Sequence, residues 1–244
     1  MAKSPTQFVD IQTAPAQVNS PQAVTPNLLI SSFAVEASES QLKEQGVTHI
    51  LQVGIELKSS HPGKFEYLVV PILDAEGVDL VATLPEMFAF IEAAVARGGV
   101  VLVHCMMGIS RSASTVIAYL MWKERIGFVA AAERVYAARP FISPNPGFVL
   151  QLRLWEKMGM DFAAWPGWSR TKFLETMEEW GGMNACIFDA VMREAGVNLE
   201  AVSHTPRHLG GMTTGEQGQL IIPSPAVKRR PMPVKLQHRL CCIS

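Results

Sequence analysis

The sequence predicts an α/β sandwich, in which a central β-sheet carries helices on its faces. Strand and helix signals alternate along residues 28–158, an order typical of this architecture. The fully apolar run at 100–103 indicates a central strand buried on both faces. A hydrophobic fraction of 48% and a charged fraction of 18% allow a sizeable core, so wholesale disorder is not expected.

The individual elements follow from apolar periodicity and from the residues that end helices. Residues 84–97, for example, place Met87, Phe88 and Ile91 on one helical face, and Gly98 follows that pattern directly. The predicted strands are residues 28–31, 47–53, 67–72 and 100–103. The other predicted helices are residues 35–45, 112–123, 128–138 and 147–158.

Additions are expected at both ends of this folded domain. The first residues carry several prolines among Ser, Thr and Gln, which is typical of a flexible arm, and order should begin near Asn27. After the domain, weak helical patterns lie near 171–180 and 185–196. This helix pair is expected to be packed onto the domain by four tryptophans, Trp155, Trp165, Trp168 and Trp180. The predicted segments are a flexible arm at 1–25, the domain at 26–160, a helical extension at 161–200 and a flexible basic tail at 201–244.

Charge and cysteine content predict an intracellular protein. The net charge is −1, but residues 228–239 carry five Lys or Arg and no acid, so the remainder has a net charge of −6. A basic tail on an acidic body is suited to anionic surfaces or acidic partners. We find no secretory signal and no apolar run long enough to cross a bilayer, so we expect a cytoplasmic, reducing environment. The four cysteines are then expected to be thiols rather than disulfides, with Cys186 a core or half-buried one: Cys105, Cys186, Cys241 and Cys242.

The residues around Cys105 predict an anion-binding loop. Residues 103–112 read Val-His-Cys-Met-Met-Gly-Ile-Ser-Arg-Ser, between an apolar strand and a helix. Such a loop directs successive backbone N–H groups and the positive end of the helix toward an anion. Gly108 allows the loop to curl, and the planar guanidinium of Arg111 can hold two phosphate oxygens.

The same environment favours an ionised thiol, because helix N-termini and cations stabilise thiolates. Cys105 is therefore expected to attack phosphorus and form a phosphocysteine. We expect His104 to order the loop through hydrogen bonds rather than to act as a base. The alternative is a buried core cysteine beside a surface arginine.

A proton donor is expected in the loop after the strand at 67–72. Asp74 lies there and is followed by Gly77, an arrangement suited to a mobile general acid that later acts as a base. Glu76 and Asp79 are nearby alternatives, although Asp79 could simply cap a turn.

At these residues the chain resembles the dual-specificity protein phosphatases, within the protein tyrosine phosphatase superfamily. The likeness covers residues 27–160 and is carried by 104–112, 46–51, 118–121 and 143–148. It implies the cysteine phosphatase fold, a mixed β-sheet flanked by helices, and hydrolysis of phosphotyrosine and phosphoserine or phosphothreonine in proteins.

The resemblance also implies residue roles. Residues Met106, Met107, Gly108, Ile109, Ser110 and Arg111 would form the phosphate-binding loop. The hydroxyl of Ser112 would help the thiolate leave, and Asn145 would support the loop. The alternatives are an ordinary first-turn residue for Ser112 and a turn residue for Asn145.

The kind of phosphatase is less defined. The chain looks most like atypical enzymes that carry a C-terminal zinc domain, but its C-terminal part lacks the clustered Cys and His of such a site. We therefore expect no metal and no cofactor. The neutral side chains of Met106, Met107 and Ile109 favour a phosphoprotein over phosphoinositides or RNA, so nucleic acid is not an expected partner.

The C-terminal residues, Cys-Cys-Ile-Ser, form a prenylation box in which Cys241 would carry a farnesyl group. One lipid binds membranes marginally, and the basic run supplies a second signal. These features predict anchoring to the cytoplasmic face of a membrane, by the logic seen in the phosphatases of regenerating liver. The alternative is a chance cysteine pair beside a solvated charge run.

The sequence supports two other hypotheses, one for the basic run and one for the whole chain. Lys228-Arg229-Arg230, followed by Met232 and Val234, resembles a MAP kinase docking peptide. The whole chain could also be a phosphoprotein-binding scaffold with little turnover.

Overall fold

A computed structural model describes residues 19–179, 187–197 and 199, and two short strands at 213–214 and 220–221. The chain divides into two units, Met1–Thr205 and Pro206–Ser244. The first contains the main sheet and the helices. The second contains an antiparallel pair of strands.

The main sheet is mixed, as predicted, with the order β1-β2-β5-β3-β4. β1 pairs antiparallel with β2, and the other neighbours are parallel. β5 lies at the centre and is buried along its whole length, which explains its continuous apolar sequence. The strands are β1 Gln22–Thr25, β2 Leu28–Ser32, β3 His49–Val53, β4 Glu66–Val70 and β5 Val101–Cys105.

Helices cover both faces of the sheet. Alternate residues of a strand point to opposite faces, so apolar side chains on each face need a core of their own. Val101 and Val103 face the larger core, which includes residues of α3 to α8. Leu102 faces a smaller core with Val35 and Leu42. The helices are α1 Phe33–Glu36, α2 Glu39–Glu44, α3 Leu84–Ala96 after a 3-10 turn at Val81–Thr83, α4 Arg111–Glu124, α5 Phe128–Ala138, α6 Pro146–Lys157, α7 Arg170–Glu179 and α8 Ile187–Glu194.

The central β5–α4 connection fixes the position of the candidate site. Parallel strands bring their carboxyl ends to one edge of a sheet, and ligands commonly bind there. β5 ends at Cys105, its neighbour β3 ends at Val53, and β4, on the far side of β3, ends at Val70. The loops that follow these three strands therefore meet beside Cys105.

Two boundaries predicted from the sequence were wrong. Order begins before Asn27, because Gln22–Thr25 pairs with β2 and forms the sheet edge. The single helix predicted at 35–45 is two helices, interrupted at Ser38, whose backbone is extended. In the tail, which stays a predicted flexible segment, the described residues are β6, Thr213–Thr214, paired with β7, Leu220–Ile221.

The two helices predicted in the extension are confirmed as α7 and α8. Phe173 and Phe188, one on each helix, are buried in the larger core. Residues 1–18, Cys186, the basic run and the C-terminal box lie outside the described residues. No helix in the described part of the chain is long and apolar enough to cross a bilayer.

Candidate active site

The sulfur of Cys105 lies at the start of a tight loop between β5 and α4. The backbone N–H of Gly108 donates to Sγ at 3.2 Å, and the hydroxyl of Ser112 lies 3.3 Å from Sγ. α4 begins at Arg111, so its N-terminus points toward the same loop. One backbone amide, one hydroxyl and a helix N-terminus thus lie at this sulfur, an arrangement that suits an anion.

Gly108 is required by this geometry. Its φ is +69°, in the left-handed region that favours glycine. A Cβ at this position would lie 2.4 Å from the carbonyl oxygen of Ser31 and 2.6 Å from Nη2 of Arg139. Any other residue would strain the backbone and push the loop away from β2.

The guanidinium of Arg111 is buried beside the loop and held in a fixed orientation. Nη1 and Nη2 donate to the two carboxylate oxygens of Glu56 at 2.8 and 2.5 Å. Nε makes no hydrogen bond with the described residues and lies 3.9 Å from Oδ2 of Asp74. Burial alone would lower the pKa of Arg111, but the hydrogen bond to Glu56 and the charge of Cys105 raise it.

Glu56 was missed by the sequence analysis. It follows β3 at the carboxyl edge of the sheet, and a polar residue after a parallel strand was the available signal. Burial would raise the pKa of Glu56, but the hydrogen bond from Arg111 lowers it. Glu56 therefore holds Arg111 as a carboxylate.

Asp74 is the carboxylate in its loop that contacts the residues around Cys105. Oδ1 accepts hydrogen bonds from Oγ of Ser110 at 2.7 Å and from Nδ2 of Asn145 at 2.6 Å. Glu76 instead pairs with Arg170, and Asp79 accepts a hydrogen bond from the backbone of the following turn. The geometry therefore favours Asp74 over its two neighbours.

Asn145 links the loop to α6. Its backbone N–H donates to Oγ of Ser110 at 3.0 Å, and its side-chain oxygen caps α6 by accepting from Phe148 N–H at 3.0 Å. Since Asn145 also donates to Asp74, three parts of the site meet at this residue.

The hydrogen bonds predicted for His104 are not formed in this structure. The ring is fully buried, and neither nitrogen has a hydrogen-bond partner among the described residues. It lies near the ring of Phe33, with centroids 6.3 Å apart. Burial lowers the pKa of His104 to about 4, opposed in part by the charge of Glu36, so the imidazole is neutral.

Arg139, which the sequence analysis did not identify, takes the loop-ordering role. Its buried guanidinium donates to the carbonyl oxygens of Gly108 at 2.7 Å and Met107 at 3.0 Å, and also to Gln22. Burial lowers the pKa of Arg139 to about 10, and the charge of Cys105 partly opposes this. A single arginine at the end of α5 gives no motif, because its contacts lie more than 30 residues away in sequence.

The other loop residues are arranged around these contacts. Met106, Met107 and Ile109 are partly exposed, whereas Ser110 is buried. The described residues contain no group of three or more His, Cys, Asp or Glu side chains that could hold a metal ion.

Comparison with known proteins identifies the family. The profile described as "Dual specificity phosphatase, catalytic domain" matches residues 29–158, more than half of the chain. The chain therefore belongs to the dual specificity phosphatase family. It is a protein tyrosine/serine/threonine phosphatase by this membership.

Individual relatives agree with this assignment. Dual specificity protein phosphatase 1B of Arabidopsis thaliana is 41% identical over 134 residues, covering 55% of this chain and 80% of the relative. MAP kinase phosphatase with leucine-rich repeats protein 2 of Dictyostelium discoideum is 36% identical over 163 residues, covering 64% of this chain and 23% of the relative. The crystal structure of human DUSP28 is 35% identical, with a TM-score of 0.55, covering 58% of this chain and 95% of DUSP28.

The buried, neutral His104 generates a prediction about stability. Its pKa is about 4 in the folded chain and about 6.5 in an unfolded one, so the unfolded state binds more protons between these values. The free energy of unfolding should therefore fall as the pH is lowered through this window, by roughly 3 kcal/mol from this group. His104→Gln should reduce the fall, as measured by urea unfolding above and within the window. An equally steep fall in the variant would contradict this account of the buried imidazole.

Proposed function

We propose that this phosphatase hydrolyses phosphotyrosine and phosphoserine or phosphothreonine in proteins through a phosphocysteine at Cys105. One observation carries the proposal: Cys105, Arg111 and Asp74 meet at one loop, at the carboxyl edge of the sheet. A nucleophile, an anion-binding cation and a proton donor are the parts that phosphoryl transfer to a thiolate needs.

In the first step, Sγ of Cys105 attacks phosphorus. The P–S bond forms as the bond from phosphorus to the leaving oxygen breaks. Arg111 and the loop amides stabilise the charge on the phosphoryl oxygens. The leaving oxygen takes a proton from the carboxylic acid of Asp74.

In the second step, water attacks phosphorus and the P–S bond breaks. Asp74, now a carboxylate, accepts a proton from the water. The hydroxyl of Ser112, 3.3 Å from Sγ, can donate a hydrogen bond to the departing thiolate. Inorganic phosphate is released, and the enzyme returns to its starting state.

The surface around the loop supports a protein substrate. Met106, Met107 and Ile109 are partly exposed, and Ile55 and Leu73 are more than half exposed on the two neighbouring loops. An apolar rim suits a phosphorylated side chain on a peptide. These five side chains carry no charge, whereas a phosphoinositide presents several phosphates.

Cys105→Ser should abolish hydrolysis of an aryl phosphate, because a neutral hydroxyl is a far weaker nucleophile than a thiolate. Acid-quenched wild-type enzyme should carry one additional phosphoryl group by mass spectrometry, and the variant should carry none. Cys186→Ala, which removes a different thiol, serves as the control and should keep both properties. Near wild-type turnover by Cys105→Ser would disprove the phosphocysteine mechanism.

Asp74→Asn should lower kcat/KM by about 10²–10⁴-fold for a substrate with a poor leaving group, because the amide cannot donate the proton. The loss should be smaller for an acidic phenol, which leaves without protonation. A series of aryl phosphates of graded leaving-group acidity measures this dependence. Asp161→Asn is the matched control on an exposed acid. A uniform loss across the series would assign the acid role to another group.

For the tail, we propose a cytoplasmic enzyme anchored to the cytoplasmic face of a membrane by farnesyl on Cys241 and by the basic run. The alternative role of the basic run, binding a MAP kinase, is supported by the name of the Dictyostelium relative. Membrane anchoring and kinase binding require different groups of the tail. Anchoring needs the lipid, whereas kinase docking needs the basic and apolar side chains alone.

Cys241→Ser in a eukaryotic cell should therefore move the protein from the membrane fraction to the soluble fraction. Replacing Lys228, Arg229 and Arg230 by Ala should cause a partial shift, since each cation contributes about 1 kcal/mol at an anionic surface. Fractionation and intact mass measure both effects, and Cys186→Ala is the control. An unlipidated C-terminus would refute the anchor. Kinase binding that survives the triple substitution would refute docking.

A further inference from the structure

We propose that residues 165–170, which we call the strap, position the general-acid loop of this enzyme. The strap follows the part of the chain that matches the family, which ends at residue 158. This inference rests on the role proposed above for Asp74. It adds positioning residues, Trp165 and Trp168, that lie outside the catalytic domain profile.

The strap holds Asp79, at the end of the acid loop, through both carboxylate oxygens. Nε1 of Trp165 donates to Oδ1 at 3.0 Å, and the backbone N–H of Trp168 donates to Oδ2 at 2.8 Å. The N–H of Ala82 donates to Oδ1 from the other side at 3.1 Å. Asp79 therefore joins the strap to the start of the turn before α3.

A second group of contacts lies closer to Asp74. Nε1 of Trp168 donates to the backbone carbonyl of Glu76 at 2.7 Å, and Arg170 donates to the carboxylate of Glu76 at 2.9 Å. A Cβ at Gly77 would lie 3.0 Å from the backbone of Arg170. The glycine expected to act as a free hinge is therefore covered by the strap.

The opposite side of the acid loop packs on α6. A Cβ at Gly147 would lie 2.2 Å from the carbonyl oxygen of Glu76, so the two backbones are in close contact. The side chain of Gln151 accepts from Leu80 N–H and donates to the carbonyl of Val78, both at 2.8 Å. The loop that carries Asp74 is thus enclosed between α6 and the strap.

The strap is itself fixed at both ends. Before it, the ring of Phe162 lies 4.9 Å from that of Trp155 in the core. After it, Phe173 of α7 is buried in the same core. Within it, the rings of Trp165 and Trp168 stack with centroids 6.4 Å apart. A segment anchored in this way can restrain its neighbour, whereas a loose tail could not.

The functional consequence concerns proton donation and not the nucleophile. The strap contacts Glu76, Gly77 and Asp79, and none of its hydrogen bonds reaches the Cys105 loop. Loss of these contacts should allow the acid loop to move at Gly77 and carry Asp74 away from the leaving oxygen. The kcat/KM should then fall for substrates whose leaving oxygen needs the proton. It should not fall for aryl phosphates whose leaving group is an acidic phenol.

Trp168→Phe tests this, because it keeps an aromatic ring and removes the N–H donated to Glu76. For the least acidic leaving group we expect kcat/KM to fall about 10-fold, less than the roughly 10²–10⁴-fold general-acid effect, because Asp74 is displaced and not removed. The dependence of kcat/KM on leaving-group acidity should steepen toward that of Asp74→Asn. Trp165→Phe, which removes one hydrogen bond to Asp79, should steepen it to a smaller extent. Trp122→Phe, whose ring packs on Phe88 in the core, is the matched control and should not change the slope.

A double-mutant cycle separates positioning from a general loss of stability. In the Asp74→Asn background, Trp168→Phe should have no further effect on kcat/KM, because the acid it positions is absent. If the losses in kcat/KM of the two substitutions are additive, the inference is wrong. It is also wrong if Asp74→Asn steepens the dependence of kcat/KM on leaving-group acidity and neither strap variant does. Both outcomes leave the proposed mechanism intact. Turnover by Cys105→Ser would instead overturn the proposed function.

Discussion

The site depends on the tight loop that encloses one buried sulfur, that of Cys105. The amide of Gly108 and the hydroxyl of Ser112 contact Sγ directly. Those contacts exist only because the loop curls at Gly108, where no Cβ could fit. The backbone conformation of this one glycine is therefore the constraint from which the rest of the site follows.

Two buried arginines, Arg139 and Arg111, lie beside the Cys105 loop and have different roles. Arg139 holds the carbonyl oxygens of Met107 and Gly108 on the outer side of the loop. Since a peptide group is planar and trans, fixing these carbonyls outward directs the N–H groups that follow them inward. Arg111 lies beside the loop, where Glu56 occupies both of its terminal nitrogens and Nε lies 3.9 Å from Oδ2 of Asp74. Arg139 shapes the loop, and Glu56 holds Arg111 in place beside it.

The sequence predicted what local patterns can encode. Cys105, Gly108 and Arg111 lie in one continuous segment, and the alternation of strands and helices gave the sandwich. Glu56 and Arg139 were missed because their roles arise from contacts across 55 and 31 residues, which no spacing rule reports. The expectation for His104 failed for a related reason, since burial under Phe33 and the neighbouring strands is a tertiary property. β1 was missed because an edge strand is stabilised by its pairing with β2.

The position of α6 explains how the loop that carries Asp74 could change without a change in the Cys105 loop. Asn145 at the start of α6 contacts both Ser110 in the Cys105 loop and Asp74 in the acid loop. Two residues further on, Gly147 packs against the backbone of Glu76 in the acid loop. The Cys105 loop is thus fixed by β2, α5 and α6, within the part of the chain that matches the family profile, whereas the acid loop has one face left to cover. Residues 165–170 occupy that face, so with the role proposed for Asp74 they can change proton donation without altering the contacts of the sulfur.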